Sequence, residues 1–284
     1  RRTVSPMPAV DLIIPARNEA ENLPALFEAL PRDRFRRVIV ADNGSTDATA
    51  ALARERGAVV VHEPTPGYGG ACLAALRWIE EEEEGARSEE RGEGRPTDGS
   101  PPRALLHAPH APPTAVAFLD ADLSDDPACL PQLIDAVTTG DAELAIGSRV
   151  RLAEPGALEP HQRFGNALAC RLIALATGRR FADLGPMRAI RWDSLQRLDM
   201  RDRTWGWMVE MNFKAAARRL AVVELDVPYR RRRAGTSKIS GSIKGSIKAG
   251  TKIIATIFAL WRSERNAAAQ EAGETGRKVG DRDA

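Results

Sequence analysis

VDLIIPARNEAENLPALFEAL (Val10 to Leu30) and RVIVADNGSTDATAALARER (Arg37 to Arg56) decide how this chain folds. VDLIIP reads as a short apolar strand broken by Pro15. The polar turn ARNEAEN then leads into a segment whose Leu23, Leu26, Phe27 and Leu30 keep helical spacing. The unit repeats: RVIVAD reads as a buried strand, NGSTD as a turn whose Ser45, Thr46 and Asp47 can cap, and ATAALARER as a helix. AVVVH (Ala58 to His62) supplies a third strand, and GYGG (Gly67 to Gly70) leads into the helix ACLAALRWIEEEEE. Strands alternating with helices at this spacing imply an α/β fold with a Rossmann-like, mostly parallel sheet flanked by helices.

Outward from this stretch, residues 85–113 are rich in Glu, Arg, Gly, Pro and Ser and read as a disordered insertion. Its His107 and His110 stand in a Pro-rich setting that disfavours metal binding. Order resumes with the strand TAVAFLDAD, the helix PACLPQLIDAV, the strand ELAIGSR and a helix from Gln162 to Thr177. A segment from Asp183 to Arg191, the helix MVEMNFKAAARRL and the strand VVELDVPYR follow. In the basic C-terminal region, SIKG and SIKA echo each other from Ser242 to Ala249. A four-residue repeat keeps like residues on one helical stripe, aligning Ile239, Ile243 and Ile247 beside Lys244, Lys248 and Lys252. The spacing predicts a cationic amphipathic helix over 239–261. Its Gly241, Gly245 and Gly250 each cost roughly 1 kcal/mol relative to Ala, so it needs a surface to pack on. That surface is either a membrane interface or the protein's own sheet. One domain over 1–262 and a polar tail over 263–284 result.

The 284 residues suit one domain with appendages, and 43% hydrophobic with 28% charged residues is ordinary globular composition. Lys+Arg 41 against Asp+Glu 39 leaves a net charge of +2, so no nucleic-acid partner is expected. Pro228 to Arg262 nevertheless holds nine Lys/Arg and no Asp/Glu, which suits a local anionic partner. Cys72, Cys129 and Cys170 form neither a disulfide framework nor a zinc motif. The longest stretch of mainly apolar residues, Ile253 to Trp261, interrupted by Thr256, is too short to span a bilayer, and RRTVSPMPAVDLIIP lacks the apolar stretch of a signal peptide. The expected place is the cytoplasm, peripheral on the inner face of a membrane where the C-terminal helix docks there.

Ligands of open α/β sheets bind outside the carboxyl ends of the strands. PARNE (Pro15 to Glu19), DNGSTD (Asp42 to Asp47), GYGG and DAD (Asp120 to Asp122) all sit at that edge. Asp42 or Asp47 alone would read as helix caps. In DAD, two carboxylates one residue apart raise each other's pKa unless a cation compensates them. A hard divalent ion, Mg2+ or Mn2+, fits such oxygen ligands and takes the rest from substrate phosphates, which implies a diphosphate-bearing substrate. Asp125 and Asp126, before Pro127, read as an acidic first turn of the next helix. Gly70, closing GYGG, could bring backbone close to a phosphate at a helix N-terminus. No GxGxxG follows the first strand and no GxxxxGK[ST] occurs, which disfavours dehydrogenase and P-loop readings.

PARNE, DNGSTD, GYGG, DAD and GSR, in this order, resemble the family 2 glycosyltransferases of the GT-A fold. DLGPMRAIR, GWMVEMNFKAA and RRAGTSK resemble the branch of dolichol- and polyprenyl-phosphate mannosyltransferases. The resemblance runs from Val10 to Trp261, except the insertion. It implies a GT-A fold and an inverting transfer from a UDP- or GDP-sugar to polyprenyl phosphate. It also implies roles. Pro15, Arg17 and Glu19 line the nucleoside, and Asp42 meets the base or ribose. Asp120 and Asp122 hold the diphosphate through the metal. Arg149 faces the acceptor phosphate, joined by Arg163, and Asp183 and Arg188 match the family's SGFR segment. Arg232, Ser237 and Lys238 match the RxxGxSK loop that closes over the phosphates. Two departures are Ser124, where this branch commonly has Gln, and Asn43, where a second Asp is frequent. A hydroxyl acceptor served by Asp183 or Glu210 as base, and a non-catalytic nucleotide-sugar-binding module, are the alternatives.

Overall fold

The structure, a computed structural model, describes residues 9–90, 112–232 and 253–266. Strands β1 (Val10–Ala16), β2 (Arg37–Asp42) and β3 (Val59–His62) alternate with helices α1 (Leu23–Ala29), α2 (Thr49–Glu55) and α3 (Tyr68–Glu90). Then come β4 (Ala115–Phe118), α4 (Leu130–Thr138), β5 (Leu144–Ser148) and α5 (Pro160–Thr177). The chain continues through β6 (Arg188–Arg191), α6 (Trp192–Leu198), α7 (Trp207–Ala217) and β7 (Val222–Asp226). A last helix, α8, covers 253–266.

The seven strands form one sheet in the order β3-β2-β1-β4-β6-β5-β7. Neighbouring pairs are parallel except at β6, which runs antiparallel to both β4 and β5. β1 and β2 are covered on both faces, which is why they read as continuous apolar runs. Alternation along the strands splits the core in two. Ile13, Ile39, Val116, Phe118 and Ile146 face α3, α5 and α7, while Leu12, Ile14, Val38, Val40 and Ala117 face α1, α2 and α4. At the amino end of β1, away from DAD, the fully buried Asp11 takes Arg36 at 2.8 Å and Arg37 at 2.6 Å.

Three boundaries differ from the sequence reading. α3 continues through Glu90, into the expected insertion, whose residues 91–111 lie outside the described residues. The Asp183 to Arg191 segment ends in β6, a strand of four residues. α8 reaches residue 266, past the expected start of the tail. Ile257 of α8 is buried in the first core and Ile253, Leu260 and Trp261 pack on it, so this end of the C-terminal helix lies on the protein itself. Ile254 and Phe258 stay 48% and 59% exposed. The Ile and Lys stripes of residues 239–252 lie outside the described residues. Among the described residues, no helix is long and apolar enough to cross a membrane.

Candidate active site

The carboxyl ends of β1, β2, β4 and β5 converge on DAD. Leu123 takes a left-handed φ of +60°, uncommon for leucine, and this turn lets Asp122 accept the Ser124 N–H at 2.9 Å. The other Asp122 oxygen pairs with Arg232 at 2.7 Å. Asp120 is half-buried near the Tyr68 hydroxyl, and its Oδ1 has no partner. Burial, then repulsion from Asp122, raises the Asp120 carboxyl to about 7, against the pull of Tyr68, Arg149 and Arg232. An unpartnered carboxylate oxygen beside a second acid is the donor chemistry a hard divalent cation takes. Asp120 and Asp122 thus fit Mg2+ or Mn2+. No group of three or more His, Cys, Asp and Glu that could hold a metal occurs among the described residues, so the pair would share the ion with substrate or water oxygens.

The turns after β1 and β2 are latched together. Asn18 accepts the Thr46 N–H at 2.7 Å and its own N–H donates to Ser45 Oγ at 2.9 Å. Asp47 accepts from Ala20 N–H and Thr49, whose bonds lower its carboxyl against burial; it ties the turn before α2, whose N-cap is Ala48 without a side-chain cap bond. Pro15 pairs in register with Ala41 on β2, and Arg17 is half-buried at the turn. Glu19 is buried, accepts Asn22 Nδ2 at 2.7 Å and meets Arg232 at 3.4 Å. Arg232 therefore joins the β1 and β4 edges. Asp42 is buried, accepting the Ser45 N–H at 3.2 Å and facing His62 Nδ1 at 3.0 Å. Asn43 donates to the carbonyls of Glu63 and Thr65 and accepts the Gly67 N–H at 2.7 Å. A carboxylate could not do both, which accounts for Asn at this position.

Arg149, at the end of β5, grips Asp183 through Nε at 2.8 Å, Nη2 at 2.9 Å and its own backbone N–H at 2.8 Å. Its guanidinium lies 5.1 Å from the Tyr229 ring centre. Arg163 sits exposed on the first turn of α5 with Nε on the Leu158 carbonyl, and none of its bonds reaches the other candidates. Ser237 and Lys238 lie outside the described residues.

The structure corrects several expectations. Gly70 gives its N–H to the Arg203 carbonyl at 2.8 Å and Gly69 to that of Thr204 at 3.1 Å, so this backbone is not available to a phosphate. The glycines serve close packing: a Cβ on Gly69 would lie 1.9 Å from the Asp202 carbonyl oxygen. Arg188 is 1% exposed and bonds Asn212 Oδ1 and the Gly185 carbonyl, so it is a buried cation beneath the site rather than a surface contact for ligand. Burial lowers it to about 10. Glu210 is engaged by the Arg201 and Asp202 N–H groups and by Lys214 at 2.7 Å, and Asp183 by Arg149 and the Leu184 N–H, so neither is free to act as a base. Only Asp126 caps, accepting the Ala128 N–H at 3.0 Å, whereas Asp125 is buried without partners. Tyr68 is the residue the sequence reading missed, although its place between the glycines of GYGG was a signal.

A family model described as Glycosyl transferase family 2 matches residues 11–82. An uncharacterized glycosyltransferase of Mycobacterium tuberculosis is 36% identical over 240 residues, 84% of this chain and 93% of its own. The chain belongs to the family 2 glycosyltransferases. The transferase is also 31% identical to the undecaprenyl-phosphate mannosyltransferase of Micrococcus luteus, over 82% of this chain and 88% of that one. The polyprenol monophosphomannose synthase of Mycolicibacterium smegmatis is 30% identical over 84% of each chain. Glucosyl-3-phosphoglycerate synthase from Mycobacterium tuberculosis, solved with Mn2+, UDP and glucosyl-3-phosphoglycerate, superposes with a TM-score of 0.60 at 17% identity. It matches over 89% of this chain and 80% of its own, and this likeness establishes the GT-A fold.

Proposed function

We propose that this glycosyltransferase moves a sugar, with inversion, from a UDP- or GDP-sugar to polyprenyl phosphate, using Mg2+ or Mn2+ held by Asp120 and Asp122. The observation that carries the reading is the carboxylate pair at the end of β4, one oxygen of which lacks any partner. When bound, the cation would supply the positive charge that stabilises the departing diphosphate. Asp120 gives up its proton as the site loads. Arg232, which bridges Asp122 and Glu19, is free to turn to the diphosphate once Asp122 has another counter-charge. Arg149, held rigid by Asp183, presents positive charge to the acceptor phosphate.

A phosphate acceptor is already anionic near neutral pH and attacks the anomeric carbon without a general base. The engagement of Asp183 and Glu210 by protein donors supports that acceptor over a hydroxyl. The names of the Micrococcus and Mycolicibacterium relatives point the same way. The exposed Ile254 and Phe258 on α8, next to the lysine-rich stretch before it, support a peripheral seat on a membrane.

The test is transfer of radiolabelled sugar from UDP- or GDP-sugars, with and without Mn2+, in the presence of polyprenyl phosphate. Label entering an organic-extractable, mild-acid-labile product only with metal is the expected result. Label that stays wholly aqueous contradicts the lipid acceptor.

A further inference from the structure

Asp125 and Asp126 are neighbours of one residue type in opposite environments. Asp126 caps the next turn and pairs with Arg230 at 2.9 Å. Asp125 is 2% exposed, and neither of its carboxylate oxygens has a hydrogen-bond partner. Burying such a group unpaired is costly, and native chains rarely do so without a reason. Burial, against the pull of Arg149 and with Asp120, Asp122 and Asp183 adding to it, holds its carboxyl well above the ordinary range.

Its position links it to the site. The Asp125 backbone bridges Tyr229, whose ring lies on Arg149. The charges of Asp120 and Asp122 act on Asp125, and its own acts on Arg149 and Tyr229, so the carboxyl shares the space around the β4 edge. What it lacks is a hydrogen-bond partner that suits a carboxyl able to keep its proton. Arg149 is held by Asp183, and a cation would have Asp120 and Asp122. The sugar hydroxyls of the donor both donate and accept, so they satisfy both oxygens with or without that proton.

We propose that Asp125 is the specificity-determining acceptor for hydroxyls of the transferred sugar, an inference that rests on the nucleotide-sugar reading above. Its two oxygens take two adjacent hydroxyls side by side and so read their relative configuration. The segment beside it, Tyr229–Arg232, bridges the Asp125 backbone and is tied down by the Arg230 N–H on the Ser124 carbonyl at 2.8 Å and by the Arg230–Asp126 pair, whose side chains are 55% and 22% exposed. A pair that reaches solvent on its arginine side yields more readily than a buried one, which opens the path for a ligand.

Titration calorimetry with MnCl2, using UDP, GDP, UDP-glucose and GDP-mannose on the wild type and on Asp125→Asn, tests this. The variant keeps the side chain's shape. It is expected to bind the nucleotide within about twofold of wild type and the matching nucleotide sugar about tenfold more weakly, as for losing one acceptor oxygen to an amide nitrogen. Equal affinity of both proteins for the nucleotide sugar overturns the inference. So does equal loss of nucleotide and nucleotide sugar, which would mark a structural or diphosphate-binding residue. A wild type that binds none of the four ligands overturns the nucleotide-sugar reading itself, a result distinct from either.

Discussion

Asp120 keeps its proton up to about pH 7 because burial and the adjacent Asp122 both oppose its ionisation. In the unfolded chain the same group ionises near pH 3.9. Its contribution to stability is therefore fully present below that pH and is lost as pH rises through about 7. A divalent cation must displace the proton, so Mn2+ is predicted to bind about tenfold more tightly at pH 8 than at pH 6. Thermal shifts across a MnCl2 titration at the two pH values read this, and equal shifts count against it. Asp120→Asn should abolish the Mn2+ shift while melting no lower than wild type without metal. Arg149→Met should cost about 3–5 kcal/mol in urea unfolding, because it strands the fully buried Asp183. DAD was legible because two acids one residue apart at a strand end are costly wherever the chain goes. The environment of Asp125 and the engagement of Glu210 were not, since each depends on which distant residue arrives beside it.

GYGG shows the same limit for an element. A glycine-rich turn before a helix matches a phosphate cradle and a close-packed crossing equally well, and only the 202–204 loop, far off in sequence, decides. Gly69→Ala should destabilise the fold by about 1–3 kcal/mol, since the clashing atom is backbone and cannot swing aside. Urea midpoints measure it, and an unchanged midpoint would show the loop to be yielding. β1 to β5 were legible from apolar runs and turn residues. β6 was not: RAIR is four residues with an arginine at each end, buried only because β4 and β5 flank it. The same holds for the C-terminal end of α3, where composition put a stop at Gly85 and the helix runs on through Glu90.

In the molecule as a whole, the two cores clamp the sheet between its helices, with α8 docked on the first core. Ile257 points inward while Ile254 and Phe258 face out, so the helix serves packing on one side and offers an apolar face on the other. The double variant Ile254→Asp, Phe258→Asp should lose co-sedimentation with anionic phospholipid vesicles and keep its melting temperature. Undiminished co-sedimentation would remove α8 from the membrane contact. Everything at the ligand edge depends on the acids after β4. Anomalous scattering at the manganese edge, from crystals grown with MnCl2 and UDP or GDP, locates the ion directly. A peak between Asp120 and Asp122, against the diphosphate, is predicted; a nucleotide bound with its manganese elsewhere, or with none at these two side chains, would contradict it.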